Sequence, residues 1–180
     1  MNCPSCKVRT LLPATIEYDL PGYSCSYCQG YLLDILVYRA WLEKQSSDTK
    51  SKRIIPKEIA DSKDALLCPK CSKVMIKFRI SGQVSNKLDL CSHCGELWFD
   101  GGEWALLNQL DLQTKIPNIL SEPWQIRARS ENIEKAVESK FKALFGKSDY
   151  TKIQEFREWM FSHEKWLKIL EYINRPKRNH

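Results

Sequence analysis

The sequence predicts an α+β protein: two small four-cysteine units, each a β-hairpin followed by a short helix, then a C-terminal antiparallel α-helical hairpin. Three observations predict it. All eight cysteines fall into four Cys-x-x-Cys pairs, CPSC (3–6), CSYC (25–28), CPKC (68–71) and CSHC (91–94). The residues between the pairs alternate apolar and polar, the period of a half-buried strand. Beyond residue 113 the apolar groups recur at helical spacing instead.

The cysteines come first. Eighteen residues separate the first two pairs and nineteen the last two, so the chain reads as a tandem repeat of a zinc-ribbon pattern. The match extends to Pro4 and Pro69, to Asp34 and Asp100, and to Tyr38 and Trp104 four residues beyond each aspartate. Each hairpin is too small to hold itself together. Four thiolates around one Zn²⁺ supply on the order of 10 kcal/mol of folding free energy. The expected ligands are Cys3, Cys6, Cys25 and Cys28 for one ion and Cys68, Cys71, Cys91 and Cys94 for a second, two Zn²⁺ per chain. A redox dithiol would show one Cys-x-x-Cys at a helix start in a βαβ setting, which is absent here. A cross-braced alternative, with the first and third pairs sharing a metal, conflicts with the repeat. His93 lies on its knuckle rather than among the ligands.

The hairpins follow. In the second copy Ile76, Phe78 and Ile80 share one parity, and Val84, Leu88 and Leu90 share another across a turn at Ser81-Gly82-Gln83. In the first copy Leu12, Ala14, Ile16, Tyr18 and Leu20 form the apolar parity, with a turn at Pro21-Gly22 and an edge strand at Pro13. Asp100 with Glu103 has the spacing of a capping box ahead of WALLNQLDL; Asp34 keeps only the N-cap half, because Val37 stands where the glutamate would be. The predicted organisation is ribbon 1 with its helix over 1–42, a polar linker over 43–67, ribbon 2 with its helix over 68–112 and the helical hairpin over 113–180.

CPKC…CSHCGELWFDGGE resembles the transcription factor IIB-type zinc ribbon family of small zinc-finger proteins. The second copy matches at Cys68, Pro69, Cys71, Cys91, Cys94, Gly95, Trp98, Asp100, Gly102 and Glu103. The first keeps Cys3, Pro4, Cys6, Cys25, Cys28 and Asp34, with Leu32 where the tryptophan belongs. The resemblance implies zinc binding and, less directly, nucleic-acid binding or a transcription role.

In the tail, one helix is expected from Ser121-Glu122-Pro123 to Gly146 and a second from Ser148-Asp149 to about Asn174, joined by GKSD. Their wide apolar stripes must pack on the ribbons, on a second copy as a homodimer, or on a partner. His163 reads as a core or interface histidine.

Composition bounds the function. The net charge of +6 permits an anionic partner, DNA or RNA, without demanding one. The basic candidates are Lys77, Arg79 and Lys87, which share the polar parity of the second hairpin. The competing expectation is a protein–protein adaptor docking through helices and ribbons. With the cysteines committed and three histidines scattered, an enzyme is not expected. No stretch reaches the roughly 20 apolar residues of a membrane span, and no leader pattern precedes Cys3, so a cytoplasmic protein without a membrane role is expected.

Overall fold

The computed structural model describes residues 1–17, 19–44, 62 and 64–175. They divide into two compact units, Met1–Asn132 and the chain from Ile133 onward. Most of the expected linker, and Tyr18, lie outside the described residues.

In the first unit each repeat contributes three strands and a helix. The first repeat gives β1 (Leu12–Thr15), β2 (Pro21–Ser24), β3 (Tyr31–Asp34) and α1 (Ile35–Leu42). The second gives β4 (Ile76–Arg79), β5 (Lys87–Leu90), β6 (Glu96–Phe99) and α2 (Glu103–Gln109). A short helix α3 (Ile116–Ile119) follows, and α4 (Glu122–Ser162) begins in this unit.

The two hairpins are not separate. All six strands form one antiparallel sheet in the order β1-β2-β3-β6-β5-β4. The join is β3 against β6, with Tyr31 opposite Phe99, Leu32 opposite Trp98, Leu33 opposite Leu97 and Asp34 opposite Glu96. The repeat makes Leu32 the counterpart of Trp98, so a local two-fold axis passes through that pair. The palindromic order follows from duplication, because identical third strands pair antiparallel about such an axis.

The faces of the sheet are distinct, as strand alternation requires. Leu33, Leu97, Phe99 and Leu88 point to one face, where Tyr38, Trp41, Trp104, Leu106, Leu107, Ile116 and Ile119 from the helices complete the core. Leu32 and Trp98 point to the other, packed with Leu11, Leu66, Met75 and the cysteines. Leu12 is exposed rather than buried, and so is its counterpart Ile76; the buried pair is Leu11 and Met75, on the cysteine face. The expected parity holds at Ile16, Phe78 and Ile80, which belong to the helix-covered core, and fails at the first residue of each strand.

β1 lies at one edge, as Pro13 implies. At the other edge, β4 is covered. The Gln125 carboxamide accepts the Arg79 N–H at 2.9 Å and donates to the Arg79 carbonyl at 2.9 Å, in the manner of a neighbouring strand. The Trp124 indole donates to the Ile80 carbonyl at 3.0 Å, and Gly82 gives the room α4 needs, since a Cβ there would lie 2.3 Å from that of Glu131. Ile116, Ile119, Trp124 and Gln125 thus pack with the sheet.

In the second unit, the helical stretch of α4 continues to Ser162 and α5 (Trp166–Ile173) follows. Gly146 interrupts α4 at φ 76°, ψ 160°, the helix stop expected there. No GKSD loop forms, because Lys147, Ser148 and Asp149 are already helical. Lys142 reaches over the Tyr150 ring across this break, at 5.3 Å. A second break separates α4 from α5. There His163, expected in a core or an interface, is exposed rather than in the core, and its Nδ1 accepts the Lys165 N–H at 3.0 Å.

Candidate metal centres and the cationic sheet face

Each cysteine sits on a knuckle of the same build. In the second pair the Cys25 N–H donates to the Gly30 carbonyl and the Gln29 N–H returns to the Cys25 carbonyl, both at 2.9 Å. Cys3 with Lys7, Cys68 with Ser72 and Cys91 with Gly95 repeat the second of these bonds. All four closing residues are left-handed, with φ of 59° at Lys7, 60° at Gln29, 59° at Ser72 and 75° at Gly95. Only the last is the residue type that adopts this conformation freely.

The knuckles converge in two groups, Cys3, Cys6, Cys25 and Cys28 in one and Cys68, Cys71, Cys91 and Cys94 in the other, with all sulfurs of a group within 4.8 Å of one another. Each repeat therefore completes its own quartet and the cross-braced pairing does not form. Sulfur separations of 3.5 Å (Cys3 to Cys28), 3.6 Å (Cys6 to Cys25) and 3.4 Å (Cys68 to Cys94, Cys71 to Cys91) approach the edge of about 3.8 Å for a tetrahedron with metal–sulfur bonds of about 2.3 Å. Four thiolates with no open position suit structural Zn²⁺, and the two sites could hold two zinc ions.

Electrostatics repeats between the copies as well. Burial pushes the Cys3, Cys28, Cys68 and Cys94 thiols up. Burial opposes ionisation at Cys25 and Cys91 too, but N–H groups of their own knuckles, led by those of Cys28 and Cys94, bring both thiols down to about 7. A cation lowers the rest, since zinc binds the thiolate.

Asp34 and Asp100 occupy equivalent places and do different things. Asp34 caps α1, its Oδ1 accepting the Leu36 N–H at 2.7 Å. Asp100 does not cap α2: its carboxylate accepts the Trp98 indole N–H at 2.9 Å and the Ser62 N–H at 2.7 Å. The other half of the expected box is present, with Glu103 Oε2 accepting the Asp100 N–H at 3.0 Å. Both carboxylate oxygens are thereby engaged, one by the Trp98 indole and the other by the Ser62 backbone. The first copy, with Leu32, has no indole to offer.

The sequence-predicted basic residues lie on the cysteine face of the sheet, on β4 and β5. Lys77 donates to Asp89 Oδ2 at 2.9 Å and to Ser62 Oγ at 3.1 Å, and the Asp89 side chain is 1% exposed. Lys77 thus neutralises a buried carboxylate. Arg79 and Lys87 stand opposite one another in register, and neither has an acidic partner among the described residues. Sequence reasoning missed the ion cluster of Lys70, which donates to Glu96 Oε1 at 2.8 Å with Asp34 Oδ2 at 3.9 Å and so ties the repeats together. It also missed Glu17, whose Oε2 accepts from the Trp104 and Asn108 side chains at 2.8 and 3.1 Å. No local pattern marks either cluster.

No described helix is long and apolar enough to cross a membrane. Compared with known proteins, the chain matches no family model, no curated protein and no solved structure.

Proposed function

We propose that the chain is a non-enzymatic double zinc ribbon, similar in kind to the transcription factor IIB-type ribbons, that presents the β4–β5 face to the phosphates of DNA or RNA. The observation that supports this is the Arg79–Lys87 pair. Like charges directly opposite one another on a sheet are unfavourable, and here no acid offsets them among the described residues. A phosphate backbone supplies the missing anion. Lys77, by contrast, serves the fold.

Fluorescence anisotropy with single-stranded and duplex DNA and RNA across a salt series tests the reading. Log affinity should fall steeply with log salt, and Arg79→Ala with Lys87→Ala should reduce that slope by about 1.5. Absence of binding at low salt, or an unchanged slope, rejects it. One observation favours a second reading, a protein adaptor or homodimer acting through the C-terminal helices. Phe141 and Phe145 stack at 5.6 Å while both remain exposed, as do Phe156 and Trp159. Sedimentation equilibrium distinguishes the two.

A further inference from the structure

The first ribbon carries an open cleft of about 650 Å³ on the cysteine face of the sheet, walled by Pro13, Thr15, Pro21, Tyr23 and Val37. Its floor is Leu32, and its polar end holds Asp34, Glu96 and Lys70. The two-fold relation between the repeats gives this cleft a counterpart. Register places Pro13 where the second copy has Lys77, Thr15 where it has Arg79, Pro21 where it has Lys87 and Tyr23 where it has Asp89. In the second copy that region is bridged by the chain itself: the Ser62 N–H meets Asp100 and its Oγ meets Lys77.

We propose that the cleft of the first ribbon docks an extended peptide segment of a partner protein, apolar along the proline and tyrosine walls and basic at the end that meets Asp34 and Glu96. Two features fix this chemistry. The walls are apolar apart from Thr15 and carry no charge, unlike their charged counterparts Lys77, Arg79, Lys87 and Asp89 in the second ribbon. The polar end holds two carboxylates against one ammonium, a net charge of −1 in a chain whose own charge is +6. The Glu96 side chain is only 7% exposed and is held by Lys70, so the acidic end is built into the sheet and not a chance surface cluster. A cation arriving there shares two carboxylates already oriented by the helix cap at Asp34 and the ion pair at Glu96. A backbone with short side chains suits the cleft, because the counterpart region of the second copy meets Ser62 through its backbone N–H and its hydroxyl.

The probe is a displayed library of random octapeptides, selected against the full zinc-loaded chain. Selected peptides are then remade with a fluorophore and titrated. Thr15→Arg fills the cleft and adds a positive charge, and Tyr23→Ala removes its aromatic wall; both positions are exposed, so zinc content and circular dichroism should not change. The expected result is a consensus of apolar residues with one Lys or Arg, and at least a tenfold loss of affinity in each variant. Selected peptides that bind both variants as well as the parent chain overturn the proposal, as does an acidic consensus, or no binder at about 100 µM. Nucleic-acid binding through Arg79 and Lys87 should survive both substitutions, so this site and the cationic face succeed or fail separately.

Discussion

Leu32 and Trp98 face each other across the central strand pair of the sheet, both fully buried, at equivalent positions of the two repeats. The duplication brings one side chain of each copy to its own symmetry axis, where two indoles would overlap. One copy therefore carries the tryptophan and the other a leucine. The indole is admitted by Gly30, where a Cβ would lie 2.3 Å from the Trp98 ring. Gly30→Ala should cost more than about 2 kcal/mol through overpacking, and considerably less in a Trp98→Leu background. Urea titrations of the four zinc-loaded chains give the coupling; a coupling of zero removes this account of the axis.

The left-handed closing residues of the knuckles give a second prediction. Lys7→Gly, Gln29→Gly and Ser72→Gly each relieve a side chain held at positive φ, so each should stabilise by up to about 1 kcal/mol. Gly95→Ala should destabilise by about the same, and its Cβ would also press on Ile35 at 3.0 Å. Thermal melting at constant free zinc measures both signs.

Lys77 separates structure from binding. Lys77→Ala leaves Asp89 buried without its cation and should cost about 3 kcal/mol. Arg79→Ala and Lys87→Ala break no ion pair among the described residues and should fall within about 0.5 kcal/mol of the parent chain. Chemical denaturation of the three variants tells the residue that serves the fold from the two proposed as phosphate contacts.

Tyr38 predicts alkaline behaviour. Burial raises its hydroxyl from 10.0 to about 12, and that hydroxyl donates to the Gln113 carbonyl at 2.8 Å. Because the folded value lies above the unfolded one, the protonated form is the one folding favours. Its contribution, about 3 kcal/mol, is complete below pH 10 and is lost as pH rises from about 10 to about 12. Tyr38→Phe should lose about 1 kcal/mol at neutral pH and flatten the decline over that window. An unchanged alkaline slope contradicts the assignment.

What was legible in the sequence was what short-range chemistry encodes. Cysteine spacing identified both quartets, Asp34 identified the start of α1, Pro13 an edge strand and Gly146 a helix break. What was not legible depends on contacts between segments far apart in the chain. The β3–β6 join leaves no local trace, since nothing within Tyr31-Leu32-Leu33 or Leu97-Trp98-Phe99 names a pairing partner. Asp100 has the spacing of a cap, but the Trp98 indole competes for its carboxylate in space. Leu12 and Ile76 were placed inside by parity, yet they lie where the strands emerge from the knuckles, and Leu11 and Met75 take the sulfur-facing positions. The GKSD loop was expected from composition, whereas one residue in a non-helical conformation suffices.

The central claim is that each repeat holds its own zinc ion. Native mass spectrometry of the zinc-loaded chain tests it directly, with Cys71→Ser and Cys6→Ser as single-site variants. The account predicts two zinc ions in the parent chain and one in each variant, with the ion retained in the untouched repeat. One ion or none in the parent, or loss of both ions from either variant, would contradict it.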